Sequence, residues 1–129
     1  MSLSTEVLQA LSDYFCASLK VQSAWLFGSH FNGRAQADSD VDLAILAAAP
    51  LGWEELSQIY TDLMPILDTD SIDIVELRKA PPILAFEAIS GKELCRRDLL
   101  AHLDFVSLTS RRLEDAALTL SAQLALRKS

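Results

Sequence analysis

The sequence predicts a mixed α and β domain that ends in a long helix. Apolar residues recur at three- and four-residue spacing in some segments, as on one face of a helix, and alternate or run together in others, as in strands. Proline and glycine separate these segments at short intervals. Because 129 residues suffice for one hydrophobic core and not for two, we expect a single domain over residues 1–129.

The first half of the chain is expected to form a helix and two strands. Residues 3–19 place apolar side chains on one helical face, with an acidic residue in the first turn, where it suits the helix dipole. Residues 21–27 predict the first strand and residues 41–47 the second, since both are rich in apolar side chains. Between them, a polar stretch contains the turn signal Asn32-Gly33 and predicts a loop.

The second half repeats these two patterns. Residues 53–67 have a helical period, although Pro65 disfavours the last turn because proline lacks a backbone donor. Residues 71–77 alternate and contain β-branched side chains, which predicts a third strand. The two prolines at 81–82 predict the start of another helix, and a short strand is expected over residues 92–96.

After this core, residues 21–96, one long amphipathic helix is predicted over residues 98–127. Its apolar row alternates steps of four and three residues, interrupted only by Ser110: Leu99, Leu103, Val106, Leu113, Ala117, Leu120 and Leu124. At about 1.5 Å per residue the helix would be about 45 Å long. This length is greater than a helix needs to cross a single domain of this size. We therefore expect it either to pack across its own domain or to overhang and meet another chain.

The charge balance excludes several classes of protein. Eleven Lys and Arg residues face eighteen Asp and Glu residues, and a net charge of −7 disfavours a protein that grips a nucleic-acid backbone. The longest apolar run, residues 43–51, is far shorter than the ~20 residues that span a bilayer. The N-terminus lacks the basic and apolar regions of a signal peptide. We expect a cytoplasmic protein with no direct contact to nucleic acid or membrane, whose acidic surface suits metal ions or a basic protein partner.

Several side chains are expected to have no chemical role. Cys16 and Cys95 are too few for a disulfide framework and lack zinc-site spacing, so we expect inert thiols. His102 is expected on the surface of the C-terminal helix, and Ser23 shows no His or Asp arrangement that would activate a nucleophile. Trp53 is expected in the core or at the rim of a cleft.

Carboxylates dominate the chemically informative segment. Asp40 and Asp42 flank one residue at the start of the second predicted strand, where alternate positions share a face. Two carboxylates so placed repel each other, and a divalent cation removes the conflict. Magnesium accepts carboxylate oxygens together with substrate phosphates. Asp73, in the third predicted strand, can add a third carboxylate, and three carboxylates can hold two ions about 3.5–4 Å apart for nucleotidyl transfer.

Gly28 and Ser29 precede these acids by ten residues. A glycine at a strand end permits close backbone approach to a ligand, and the Ser29 hydroxyl can donate to a phosphate oxygen. Arg34 can neutralise phosphate charge. The alternative is a solvated acidic turn over residues 38–42. At a background of about 5–7% per residue, however, the whole pattern Gly-Ser, ten residues, Asp-x-Asp arises in about one window in 100,000.

This pattern resembles the signature of the minimal nucleotidyltransferases (MNT) of the DNA polymerase β superfamily. The resemblance is strong over residues 21–77, and Gly33 and Ala35 also match small positions of that family. The segment His30-Phe31-Asn32 departs from it, because it is bulkier than the family's usual residues. His30 is expected either to contact a phosphate or to expose its ring. The resemblance implies the nucleotidyltransferase fold, a small mixed β-sheet with helices mostly on one face.

The resemblance also implies roles for the site residues. Asp40 and Asp42 would bind both magnesium ions. Asp73 would bind the catalytic ion and help activate the acceptor hydroxyl. Gly28 and Ser29 would hold the triphosphate of ATP.

Small stand-alone members of this family often act as antitoxins of HEPN ribonuclease toxins. The resemblance therefore implies that this chain transfers AMP from ATP to a tyrosine of a HEPN toxin and so neutralises it. One alternative is a non-catalytic antitoxin that binds and occludes the toxin through the C-terminal helix. Another is transfer to a small molecule such as an antibiotic, for which a homodimer would have to complete the acceptor pocket.

Overall fold

The computed structural model describes residues 3–36 and 39–127. Five helices and four strands alternate along them, together with a single 3-10 turn at Leu77–Lys79. In chain order the elements are α1 (Thr5–Ala17), β1 (Val21–Phe27), α2 (Ser29–Asn32), β2 (Val41–Ala47), α3 (Trp53–Leu67), β3 (Ile72–Glu76), α4 (Pro82–Ile89), β4 (Lys92–Arg96) and α5 (Leu99–Arg127). The predicted bounds of β1, β2, α3 and β4 are confirmed to the residue.

The four strands form one mixed sheet in the order β3-β2-β1-β4. β1 is antiparallel to both β2 and β4, whereas β2 and β3 are parallel. This topology confirms the mixed sheet and brings the end of β1 and the starts of β2 and β3 to the same edge. The candidate site residues belong to these three strand ends, so the sheet itself assembles them.

Helices cover both faces of the sheet. α1 and α3 pack on one face, where Phe15 and Leu63 lie against Leu43 in the larger core cluster. α4 and α5 pack on the other, where Ala88 and Phe105 lie with Trp25. The helices, expected mostly on one face, are thus divided between two, because β1 and β2 present long apolar runs that must be buried on both sides.

Proline does not end α3 early. Pro65 lies inside the helix, which continues to Leu67 and stops at Asp68 in the left-handed conformation. Leu63 and Leu67 are buried on the same side, so packing compensates for the missing backbone hydrogen bond. Trp53, in contrast, is 82% exposed at the start of this helix, and the expectation of a core position was wrong.

A disulfide joins Cys16 in α1 to Cys95 in β4. The expectation of two inert thiols was therefore wrong. α1 packs against β4 and brings the two Cα atoms to 5.6 Å although 79 positions separate them in the sequence. This distance lies within the range that a disulfide spans. The spacing of two cysteines cannot reveal such a pairing, because it depends on how the helix lies on the sheet.

A buried polar cluster anchors α5 to the sheet. His102 is 4% exposed, stacks on Trp25 and places Nδ1 2.8 Å from Ser23 Oγ and Nε2 3.2 Å from Glu93 Oε1. His102 is therefore not a surface residue, and Ser23 does have a histidine partner. Ser23 is wholly buried, however, so no substrate can reach its hydroxyl. The cluster satisfies polar groups inside the fold, as burial requires.

Candidate active site

Gly28 lies between the end of β1 and the start of the short helix α2. Its φ of 75° lies in the left-handed region, which residues with a side chain rarely adopt. A Cβ at this position would also overlap the Asp42 carboxylate. The Gly28 carbonyl accepts hydrogen bonds from the backbone amides of Phe31 and Asn32, which fixes the turn that carries Ser29. A glycine is needed here because the neighbouring space belongs to an acidic side chain.

Asp42 and Asp73 are cross-strand partners. The parallel pairing of β2 and β3 places them opposite each other in register. Ala44 and Val75, each two residues further on, pack in the cluster under α4 and α5, so both carboxylates face that side of the sheet. Val41 and Leu43 face the opposite cluster, as the sequence predicts. Neighbouring strands lie about 4.7–4.9 Å apart, so the two acids are held as close neighbours.

Burial and neighbouring acids raise the pKa of Asp42. Its half-buried position is the largest cause, followed by the negative charges of Asp73, Asp40 and Glu87, whereas His30 acts in the opposite direction. Each of these acids disfavours the charged form of Asp42. Asp40 and Asp73 are exposed at the same edge. The structure therefore brings the three predicted carboxylates into one electrostatic cluster.

This cluster is suited to a divalent cation. As the side chains stand, no three His, Cys, Asp or Glu residues within 3–36 and 39–127 are close enough together to hold a metal ion. Carboxylates that repel one another turn apart in the absence of a cation, and bringing in positive charge reverses this repulsion. The donor set consists of oxygen alone, which matches the preference of magnesium. Asp40, Asp42 and Asp73 therefore fit as its ligands.

A comparison with protein families supports the same reading. The family described as "Polymerase beta, Nucleotidyltransferase" matches residues 9–99, more than half of the chain. The chain belongs to this nucleotidyltransferase family. The match includes Gly28, Ser29 and the three carboxylates, and it ends at the first residue of α5.

One curated relative of this nucleotidyltransferase is Protein adenylyltransferase MntA of Shewanella oneidensis. The two are 37% identical over 76 residues, which cover 58% of this chain and 54% of MntA. The chain thus spans about half the length of the curated relative that it matches.

Solved structures extend the likeness to nearly the whole chain. A toxin–antitoxin with AMP-PNP superposes with a TM-score of 0.74 and 25% identity, covering 98% of this chain and all of the other. A tri-AMPylated Shewanella oneidensis HEPN toxin in complex with MNT antitoxin matches with a TM-score of 0.68 and 23% identity, covering 95% of this chain and 99% of the other. The second likeness shows the fold alone, and both include the long C-terminal helix.

His30 connects the two halves of the nucleotidyltransferase signature. Its Nε2 lies 3.2 Å from the Ser39 carbonyl oxygen, so the ring joins α2 to the residue before Asp40. Its Nδ1 is buried and has no hydrogen-bond partner within residues 3–36 and 39–127. The ring is half-buried, so neither the phosphate contact nor the exposed ring expected from the sequence describes it fully. Within the bulky segment that departs from the family pattern, His30 thus contacts the residue before the first acid.

Glu87 of α4 is a site residue that sequence reasoning missed. It contributes to the raised pKa of Asp42, yet it lies 45 residues further along the chain and belongs to no signature. It also lines a cavity of about 410 Å³ beside the site, with Phe27, Gly28, Phe31, Asn32, Ile83, Phe86 and Ser90. No residue of this lining is basic, so the cavity suits a neutral ring better than a triphosphate.

Arg34 lies on the loop that leaves α2. Its backbone amide donates to the Ser29 carbonyl oxygen and to Asn32 Oδ1, and its side chain is exposed. An exposed guanidinium at this edge can reach a ligand, so the triphosphate contact stays a prediction.

The alternative expected for this segment is a solvated acidic turn over residues 38–42. Asp38 lies outside the described residues, whereas Asp42 is half-buried within β2. A fully solvated turn therefore does not describe Asp42.

Proposed function

We propose that this nucleotidyltransferase transfers AMP from ATP to a tyrosine of a HEPN-type toxin and so neutralises that toxin. The observation that carries the proposal is the in-register pairing of Asp42 with Asp73 beside Gly28. The likeness to MntA, a protein adenylyltransferase, and to a structure with AMP-PNP supports ATP as the donor. The likeness to a complex with a tri-AMPylated HEPN toxin supports a protein acceptor.

In this proposal the backbone around Gly28 and the Ser29 hydroxyl hold the triphosphate, with Arg34 neutralising part of its charge. Asp40 and Asp42 would hold two Mg²⁺ ions, and Asp73 would hold the catalytic one. Bound magnesium would supply positive charge to the reacting phosphate and to the leaving pyrophosphate. The acids are exposed or half-buried at the sheet edge, so a partner's side chain can reach them.

Asp73 acts on the acceptor. It takes the phenolic proton of the tyrosine as the tyrosyl oxygen attacks the α-phosphorus of ATP. A bond forms between that oxygen and phosphorus, and the bond from the α-phosphorus to the oxygen that bridges to the β-phosphate breaks. Pyrophosphate leaves with the bonding electron pair. The products are AMP-tyrosine on the partner, pyrophosphate, and the proton that Asp73 takes and then releases to water, so atoms and charge balance.

A labelling experiment tests this function. The purified chain, Mg²⁺ and ATP labelled at the α-phosphate are incubated with and without a HEPN-type toxin protein. We expect label on the partner, lost in Asp42→Asn and kept in Asp70→Asn, which removes an exposed acid near the start of β3. Equal labelling by both variants would contradict the assignment of the site.

Neutralisation by binding alone is the second candidate. The leucines that α5 leaves exposed favour it, because such a surface suits a protein contact. In that case Asp42→Asn still neutralises the toxin in cells, and truncation within α5 ends neutralisation. If the antitoxin acts by catalysis instead, Asp42→Asn no longer neutralises the toxin in cells.

The use of ATP supports a cytoplasmic location. No helix among the described residues is long and apolar enough to cross a membrane. The disulfide counts against this location, because such bonds rarely persist in a reducing cytoplasm. An alkylating reagent that traps free thiols in intact cells, followed by mass measurement, distinguishes a reducing cytoplasmic location from one in which the disulfide persists. Alkylation of Cys16 and Cys95 in the trapped protein is the result that fits the cytoplasm.

A further inference from the structure

The two halves of α5 have different surroundings. In the first half, His102, Phe105 and Thr109 are buried against the sheet and α4. In the second half, which we call the distal arm (residues 110–127), Leu113 and Ala116 are half-buried and residues 117–126 are all exposed. At about 1.5 Å per residue, these ten exposed residues extend about 15 Å. A helical segment of this length is marginal in water without a surface to pack on.

A regular row of apolar side chains runs along α5. This seam consists of Leu99, Leu103, Val106, Ser110, Leu113, Ala117, Leu120 and Leu124. The steps alternate between four and three residues, an average of 3.5, which is the period of helices that wind around one another. Leu103, Leu120 and Leu124 are 51%, 56% and 46% exposed. The anchoring residues His102, Phe105 and Thr109 lie on a different row, so the domain leaves most of the seam exposed and only half-buries Val106 and Leu113.

The repeat length of the seam and the charged residues of the distal arm indicate which kind of surface binds the seam. A 3.5-residue repeat fits another helix rather than a flat surface. The distal arm carries Arg111, Arg112 and Arg127 against Glu114 and Asp115, hence a net charge of +1 in a chain of −7. Two copies of the chain would repel each other overall, and their arms would bring like net charge together. An acidic helix of another protein complements the arm instead.

We propose that the seam of the distal arm binds an apolar helix with acidic flanks on the toxin partner. This proposal rests on the proposed function for the identity of the partner. The similar toxin–antitoxin chain matches 98% of this chain, so the long helix is retained in a relative solved as a toxin–antitoxin. The arm lies outside the residues that form the acidic cluster. Binding of the partner and transfer of AMP to it therefore use separate surfaces of the same chain.

The test uses two matched double variants of the full chain. Leu120→Asp with Leu124→Asp places two charges on the seam. Thr119→Asp with Gln123→Asp places the same two charges on a polar row of the same turns. Both are made in the Asp42→Asn background, so that turnover cannot alter the binding measurement, and circular dichroism checks that the helix content is equal. Affinity for the HEPN-type toxin protein is then measured by titration calorimetry.

We expect the seam variant to bind the partner about 30-fold or more weakly, since two carboxylates would be buried without partners in an apolar contact, and the control variant to stay within about threefold. With an active site, the seam variant should raise KM for the partner and leave kcat at saturation unchanged. Equal affinity of the two variants overturns the proposal. So does a seam variant that loses only self-association in sedimentation, because a second copy would then be the occupant.

The same experiment separates this inference from the proposed function. If no AMP reaches the partner while the complex forms and is lost in the seam variant, the arm is confirmed as the binding surface and the chemistry is wrong. If AMP is transferred and the seam variant binds normally, the chemistry stands and the arm is not the docking surface.

Discussion

The carboxylate of Asp42 occupies the space that a side chain at Gly28 would need. A Cβ built on Gly28 would lie 3.0 Å from Asp42 Cγ and would overlap its Oδ2 atom. The glycine of the signature therefore accommodates a residue of its own chain, in addition to any ligand. The first and last residues of the signature are coupled sterically across β1 and β2.

Alanine substitutions at Gly28 and Gly33 should distinguish the steric coupling of Gly28 to Asp42 from the backbone strain of a positive φ. Gly28 and Gly33 both have positive φ, but a Cβ at Gly33 meets no atom of the described residues within 4 Å, its chain neighbours aside. We expect Gly33→Ala to lower the free energy of unfolding by about 1 kcal/mol and to keep activity. Gly28→Ala should displace the Asp42 carboxylate and lower AMP transfer about 100-fold or more. Steady-state kinetics and chemical unfolding measure both, and equal loss of activity in the two variants would contradict the coupling.

Removing the charge at position 42 should change how stability depends on pH. Burial and three neighbouring acids raise the pKa of Asp42 above its ordinary 3.8, so the folded state holds this proton more tightly than the unfolded state. The contribution of Asp42 is therefore most favourable at low pH and is lost as pH rises from about 4 through the raised pKa. Thermal unfolding between pH 3.5 and 7, roughly the range in which carboxylates titrate, should show a smaller loss for Asp42→Asn than for the unaltered chain. A larger loss in the variant would contradict the sign.

Magnesium should stabilise the folded chain through the same carboxylates. A ligand that binds only the folded state adds about 2.7 kcal/mol at 100 times its Kd. We expect MgCl₂ to raise the melting temperature of the unaltered chain and of Asp70→Asn, and to have little effect on Asp42→Asn. An equal increase in all three would show a non-specific salt effect.

His30 should act as a positioning residue. Its ring lies 3.2 Å from the Ser39 carbonyl oxygen, so His30→Ala frees the segment before Asp40. We expect kcat to fall about tenfold, as for loss of one orienting contact, with KM for ATP nearly unchanged. His30→Gln, whose amide can donate to the same carbonyl, should recover much of kcat. A rise in KM for ATP in both variants would indicate a direct phosphate contact instead.

The buried cluster around His102 should matter for stability and not for catalysis. Ser23→Ala leaves His102 Nδ1 without its partner in a buried site, which we expect to cost about 1–3 kcal/mol of unfolding free energy. At a temperature where both proteins are folded, AMP transfer should be unchanged. Loss of transfer without loss of stability would instead give Ser23 and His102 a chemical role.

Local patterns predicted the strands and the signature with accuracy. β1 and β2 each contain an apolar run, residues 24–27 and 43–47, and Asp42 and Asp73 lie at their predicted strand positions. Periodicity and spacing suffice there because each depends on residues that are near in sequence.

Features that depend on how elements cross the sheet could not be predicted in this way. The Cys16–Cys95 bond, the burial of His102 and the approach of Glu87 to Asp42 each join distant segments. The division of the helices between both faces of the sheet could not be predicted for the same reason. The sequence of a helix shows that one of its faces is buried, but it does not show on which face of the sheet the helix packs.

The bond between Cys16 and Cys95 turns residues 16–95 into a covalent ring. Gly28, Asp42 and Asp73 all belong to this ring, whereas α5 is a tail attached at one point of it. While the bond is closed, a single cut by a protease inside the ring leaves the two pieces joined. A cut after Thr109 removes the distal arm and leaves the ring whole. Proteolysis would then produce a nucleotidyltransferase with an intact sheet edge that lacks the proposed binding surface.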